Sequence, residues 1–263
     1  MRILCIILLS LFSNTYAQTA GKVLIADEYT KKAEALRTGL KFDSAIIFYQ
    51  KALAEFQAAN DTEGIVNSYN KIGVVFTRQD KFEKAKTYLD KALALGLSSL
   101  DQDHLLVATT YINLGVVYAG EENYTQSLLY HNKALSIRLS KLGEYHTDVA
   151  TSYGNIGNVH FRNKQYDEAI DAHLNAMRIR EKLFGDSGVE VIQSYNNLGN
   201  AYKEKKDYNA SLNYFDKALQ NKIRQLGEGH KDLVKFYMNL SEVYEMLGNI
   251  EKGTFYKNKA KAL

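Results

Sequence analysis

The sequence predicts an all-α chain, an α-solenoid wound as a right-handed superhelix of about six helix-turn-helix repeats. Three observations lead there. Asn-Leu-Gly or Asn-Ile-Gly recurs at Asn113–Gly115, Asn155–Gly157 and Asn197–Gly199, with Lys71-Ile72-Gly73 before and Asn239-Leu240-Ser241 after, each step being 42 residues without insertion or deletion. Apolar and aromatic residues within each copy fall at offsets of three, four and seven, which places them on one helical face. The 263 residues also contain no Pro, which fits long uninterrupted helices.

Residues 1–17 differ in kind from the rest. Arg2 is followed by the apolar run Ile3-Leu4-Cys5-Ile6-Ile7-Leu8-Leu9-Ser10-Leu11-Phe12, and Thr15-Tyr16-Ala17 ends on a small residue. That is the anatomy of a secretory signal peptide, too short for the roughly 20 helical residues that span a bilayer. Cleavage after Ala17 is expected, with Gln18 as the new start and no stable membrane insertion afterwards. Cys5 is the only cysteine, so the mature chain would have no thiol or disulfide chemistry.

Residues 18–263 form the array, with repeats at roughly 24–61, 62–104, 105–146, 147–188, 189–230 and 231–263. In the third copy, Tyr111-x2-Leu114-Gly115-x2-Tyr118 makes the first helix, Glu121-Glu122-Asn123 breaks it, and Tyr124 opens the second. That helix carries Ser127, Tyr130, Ala134 and Leu135, and runs to Leu142-Gly143, where Gly suits a left-handed stop. The same columns run down the chain. Tyr29, Tyr69, Tyr111, Tyr153, Tyr195 and Tyr237 stand four residues before the glycine column, which Ala33 fills in the first, shorter copy. Ala45, Ala85, Ser127, Ala169, Ser211 and Gly253 stand twelve after it, and six alanines from Ala52 to Ala260 follow seven further on. A mid-helix Gly costs about 1 kcal/mol relative to Ala. Four of them imply a close approach, and the small columns are the expected counterpart.

These residues resemble the tetratricopeptide repeat family, whose signature is aromatic-x2-Leu-Gly-x2-Tyr, then Ala, then Ala. The 42-residue period and the junctions Leu142-Gly143-Glu144-Tyr145-His146 and Leu226-Gly227-Glu228-Gly229-His230 are similar to the long repeats of kinesin light chains. Tyr replaces the family's common Trp, and Thr147 or Lys231 replaces the Pro expected after the junction His. The resemblance implies helix pairs stacked with their first helices lining a concave groove. The export segment argues against a motor-protein role.

Nothing in the sequence points to catalysis, and no cofactor or metal is expected. His104, His146 and His230 sit at equivalent junctions of different repeats. Helices pack about 8–10 Å apart, whereas zinc needs its nitrogens within about 2 Å, so these histidines read as turn or helix-start residues. His131 and His173 share a second-helix column with Tyr49, Leu89 and Phe215, and His160 shares an aromatic column with Tyr118 and Tyr202, all read as partly buried packing. Gly227-x-Gly229 lacks the preceding strand of a phosphate loop. A formal net charge of +3 is too small to argue for nucleic acid.

A partner surface is the stronger expectation. Two residues before each Gly stand Lys71, Asn113, Asn155, Asn197 and Asn239, with Asn70, Asn158, Asn196 and Asn200 beside them. An Asn amide offers one acceptor and two donors, matching the C=O and N–H of an extended peptide. The resemblance implies a peptide-binding asparagine ladder at Asn113, Asn155, Asn197 and Asn239, with Asn158 and Asn200 adjoining. The alternatives are that these side chains bond a neighbouring helix or face water. Arg78, Arg162, Lys203 and Lys235 suggest an acidic or C-terminal target, although the Lys-and-Asn clamp of chaperone-binding relatives is not matched column by column. The expected function is that of an exported, periplasmic or secreted, non-enzymatic scaffold binding proteins or peptides, bacterial in origin. The alternative is a sensory or regulatory input acting through a partner protein.

Overall fold

A computed structural model describes the backbone of residues 2–263 and the side chains of residues 19–263. The expected signal segment 1–17 therefore lies outside the residues whose side chains are described. Among the described residues there are twelve α-helices and no strand. They are α1 (Arg2–Thr38), α2 (Phe42–Ala59), α3 (Thr62–Arg78), α4 (Phe82–Ser99), α5 (Leu105–Gly120) and α6 (Tyr124–Leu142). There follow α7 (Thr147–Arg162), α8 (Tyr166–Phe184), α9 (Val189–Glu204), α10 (Tyr208–Leu226), α11 (Val234–Met246) and α12 (Ile250–Lys261), with a 3-10 turn at Lys231–Leu233. The chain is an all-α repeat array of the solenoid class. It divides into two compact units, Met1–Ile137 and Arg138–Leu263, the division falling inside α6.

Close approach within the four central helix pairs follows from the glycine column. In the first unit, a Cβ built on Gly73 would stand 2.7 Å from Leu89 Cδ2, and one on Gly115 would stand 2.7 Å from His131 Cε1. In the second unit, Gly157 and Gly199 are each covered at 2.6 Å, by the rings of His173 and Phe215. What presses on the glycine is thus a large side chain sixteen residues on, not the small column alone. The small column has a different task. Ser127 Oγ donates to Gly115 O at 2.7 Å and Ser211 Oγ to Gly199 O at 2.8 Å. In the last pair the roles reverse, with Ser241 Oγ donating to Gly253 O at 2.8 Å. His131 and His173, expected to be partly buried, are 1% and 2% exposed, because the glycine has no side chain to hold them off. Burial, with a smaller push from the Arg180 charge, lowers the His173 pKa to about 4.

The turns are capped as the junction histidines suggested. Nδ1 of His104, His146 and His230 accepts the N–H of Leu106, Asp148 and Asp232 at 3.2, 3.1 and 3.2 Å, which occupies donors a helix start would otherwise leave unpaired. Gly143 and Gly227 follow α6 and α10 at φ of 77° and 81°, a left-handed conformation natural for Gly. Aromatic pairs stack between the two helices of four of the pairs. Tyr118 stacks on Tyr130 and Tyr202 on Tyr214, both with ring centroids 5.5 Å apart. The fourth copy lacks this stack, since His160 and Ala172 replace the two rings, and His160 Nδ1 instead meets Gln165 Oε1 at 3.0 Å.

Two outcomes follow. Gly199→Ala is expected to lower stability by about 1–3 kcal/mol despite the better helix propensity of Ala, because Phe215 is fully buried and has no room to yield. Gly21→Ala, where nothing lies within 4 Å of the added carbon, raises stability or leaves it unchanged, and urea unfolding measures both. For His173, the unfolded chain binds a proton near pH 6.5 that the folded chain refuses until about pH 4. Its stabilising share is therefore complete above pH 6.5 and falls away between there and pH 4. Thermal melts of His173→Leu against wild type should show the variant gaining relative stability over that window, and parallel pH profiles would contradict the assignment.

Candidate functional site

Three first-helix columns, the residues three before, two before and one after each glycine, carry polar side chains between neighbouring repeats. In the first unit Glu34, Lys71, Asn70 and Asn113 are paired across these joints, whereas Thr30 Oγ1 is buried without a partner among the described residues. Lys71 Nζ donates to Glu34 Oε1 at 2.5 Å, and Arg37 binds the other carboxylate oxygen at 2.7 Å. Burial would raise the Glu34 pKa, but these charged hydrogen bonds outweigh it and hold the carboxyl at about 2. One repeat later, Asn113 Nδ2 donates to Asn70 Oδ1 at 3.2 Å, and Asn70 Nδ2 donates to Thr110 Oγ1 at 2.9 Å. The Asn113 rung is thus tied into a side-chain chain whose middle member, Asn70, is 2% exposed.

The second unit is different. Among the described residues, Asn155, Asn158, Asn197, Asn200 and Asn239 make no side-chain hydrogen bond. All are half-buried except Asn158, which is exposed. Asn196 Nδ2 turns back to Ile192 O at 3.1 Å. The columns that closed on one another at Asn113 and Asn70 stay apart at Asn239 and Asn196, and between them lies a groove of about 510 Å³. Its walls are Val189, Ile192, Gln193, Asn196 and Asn200 from α9, with Lys222 from α10 and Lys235, Phe236 and Asn239 from α11.

Two other columns also change at this joint. At the α7 and α9 joints a buried arginine from the preceding second helix crosses to a serine. Arg138 Nη1 donates to Ser152 Oγ at 2.9 Å and to Asp148 O at 3.0 Å, and Arg180 Nη1 donates to Ser194 Oγ at 2.7 Å. At the α11 joint the equivalent pair is Lys222 and Phe236, which cannot make that bond. Within the second unit this is the joint without the cross-link; at the α5 joint Gly96 and Thr110 lack it as well, yet Asn70 and Asn113 meet there. No carboxylate lines it. Lys222 has only Gln225 Oε1, at 3.5 Å, and Lys235 Nζ lies 5.1 Å from the Phe236 ring centre.

The structure therefore brings together Asn200 and Asn239 of the expected ladder, with Asn196 and Lys235 from its surroundings. It places Asn113, Asn155, Asn158 and Asn197 outside this groove. Lys203, one of the cations that suggested an acidic target, is paired with Glu242 at 2.9 Å, and Arg78 is exposed at the end of α3. Gln193, Lys222, Ile192 and Phe236 were not anticipated. The signal was available, since Lys222 departs from the Arg138 and Arg180 column and Phe236 from the Ser152 and Ser194 column. Among the described residues, no three His, Cys, Asp or Glu side chains cluster to hold a metal ion, and no helix is long and apolar enough to cross a membrane.

The tetratricopeptide repeat family profile matches residues 64–140, 148–223 and 191–252, and the chain belongs to that family. Among solved structures, BtubC (BKLC) from P. vanneervenii is similar at 21% identity, over 94% of this chain and 89% of that one, with a TM-score of 0.68. A kinesin light chain repeat protein of Podosopora anserina matches at 14% identity over 75% of this chain and 93% of its own, also at 0.68. Apo RapI matches at 18% identity over 89% and 96%, at 0.62. These likenesses concern the fold. No curated relative matches the sequence.

The contrast between the two units has a measurable consequence. Asn70→Ala should destabilise the chain by about 1–3 kcal/mol, because it leaves Thr110 and Asn113 without their partner in a buried setting. Asn200→Ala and Asn239→Ala should each stay within about 0.5 kcal/mol of wild type, as expected of side chains that make no hydrogen bond to the described residues. Chemical denaturation of the three variants checks this.

Proposed function

We propose that this tetratricopeptide repeat protein is exported, cut after Ala17, and acts without catalysis by holding an extended segment of another protein against its first-helix amides. The single observation carrying the reading is the amide-lined groove between α9 and α11, where four side-chain amides converge and no carboxylate competes. Neutral amides suit a peptide backbone, since each presents both donor and acceptor at the spacing an extended chain offers. Lys222 and Lys235 favour an acidic segment or a C-terminal carboxylate over a basic one. Each hydrogen bond contributes only about 0.5–1.5 kcal/mol net, so affinity is modest and rises with the number of repeats engaged. A Rap protein solved in complex with Competence and Sporulation Factor shares the fold at 15% identity, with a TM-score of 0.64 over 91% of this chain and 74% of its own. That supports the use of such an array for holding another molecule.

The test is affinity capture from native extract with the mature chain, comparing wild type with the triple variant Asn197→Ala, Asn200→Ala, Asn239→Ala. Partners held by the wild type should be lost by the variant at unchanged thermal stability; identical sets of partners would show the amide face to be uninvolved. Amino-terminal sequencing of protein expressed in a bacterium should begin at Gln18, and a chain that starts at Met1 would refute export by this segment.

A further inference from the structure

The α9–α11 groove has features that backbone holding alone does not need. Its floor is apolar, with Ile192 and Phe236 only 5% and 2% exposed. Phe236 occupies a column that is Ser152 and Ser194 at the two preceding joints of the same unit. Its rim carries Lys222 and Lys235, neither within reach of a carboxylate among the described residues. Where the two preceding joints of the unit carry an arginine–serine cross-link, this one carries a lysine and a phenylalanine and holds a space of about 510 Å³, with an apolar base and two lysines in its walls.

We propose that this joint is a sequence-reading subsite: it takes one apolar side chain of the bound segment, with an Asp or Glu one or two residues away along it. This rests on the reading that the amide face holds an extended chain. In such a chain successive side chains point to opposite sides, at about 3.3 Å per residue. A residue that drops onto Ile192 and Phe236 leaves its neighbours at rim height, where Lys222 and Lys235 stand. The backbone on either side then lies against Gln193, Asn200 and Asn239. At the Arg180 joint the guanidinium is 9% exposed and already bonded to Ser194, so the positions of Lys222 and Phe236 are taken there by a paired arginine and serine. Selectivity is accordingly confined to one place in the unit, while the other amides hold without discriminating.

The test uses the full mature chain, labelled with nitrogen-15, and three acetylated and amidated hexapeptides with central Phe-Glu, Ser-Glu or Phe-Lys between paired glycines. Side-chain amide signals of Gln193, Asn196, Asn200 and Asn239 report binding. The Phe-Glu peptide should bind at least tenfold more tightly than either of the others. The double variant Lys222→Arg, Phe236→Ser restores the pair found at Arg180 and Ser194, and should lose that preference at least tenfold. Lys235→Met, an exposed position that leaves the fold alone, should abolish the discrimination between Phe-Glu and Phe-Lys but keep that between Phe-Glu and Ser-Glu. Equal affinity for all three peptides, with the same amide signals moving, would overturn the subsite while leaving backbone holding intact. Silence from those signals with every peptide would also overturn it, and the capture experiment then judges the holding reading separately.

Discussion

The four central helix pairs depend on one close contact, the seating of a second-helix side chain on a first-helix glycine. Leu89 on Gly73, His131 on Gly115, His173 on Gly157 and Phe215 on Gly199 meet one geometric demand with three kinds of side chain. The demand is that the axes approach until a bare Cα meets a side chain. Because the interior is packed to the density of an organic crystal, the added carbon of an alanine has nowhere to go. The serine hydroxyls at Ser127 and Ser211 lock the same contact from the side by donating to the glycine carbonyl. Burial at this position holds the His173 pKa down, which ties part of the stability to pH.

With pairs fixed in this way, what varies is the joint between one pair and the next. Glu34 with Lys71, Asn70 with Asn113, and Arg180 with Ser194 each fill a joint with polar bonds of good geometry. Such bonds are worth little over water when exposed and are costly to break when buried, so they set register more than they set stability. The α9–α11 joint does not close, and the groove is the consequence. Structure and site are thus drawn from the same columns: where the repeat keeps its pattern it builds the stack, and where it departs from the pattern it leaves room for another molecule.

Much of this could be read from residues alone. The 42-residue period, the aromatic and alanine columns and the junction histidines correspond to helices, seams and caps, because each is a local rule repeated without insertion. What could not be read was which column touches which. The glycine column was matched to the small column, whereas its true cover is sixteen residues on, and the offset depends on the crossing of two helices, not on either one. The asparagines looked equivalent in sequence, yet Asn113 bonds Asn70 while Asn239 does not bond Asn196; Asn70 is held by Thr110, whose column is Phe236 at the last joint, and Asn196 turns back to Ile192 O. Lys222 and Phe236 escaped notice because neither is unusual by itself. They matter only as a pair that fails to form a bond.

The central claim is that glycine is required because of the side chain covering it. The most direct measurement is a double-mutant cycle at Gly199 and Phe215, read by equilibrium urea unfolding. Gly199→Ala should destabilise the wild-type chain but stabilise the Phe215→Ala background, where the ring is gone and only the helix preference of alanine remains. Equal effects in both backgrounds would show that the glycine answers to something other than the ring above it.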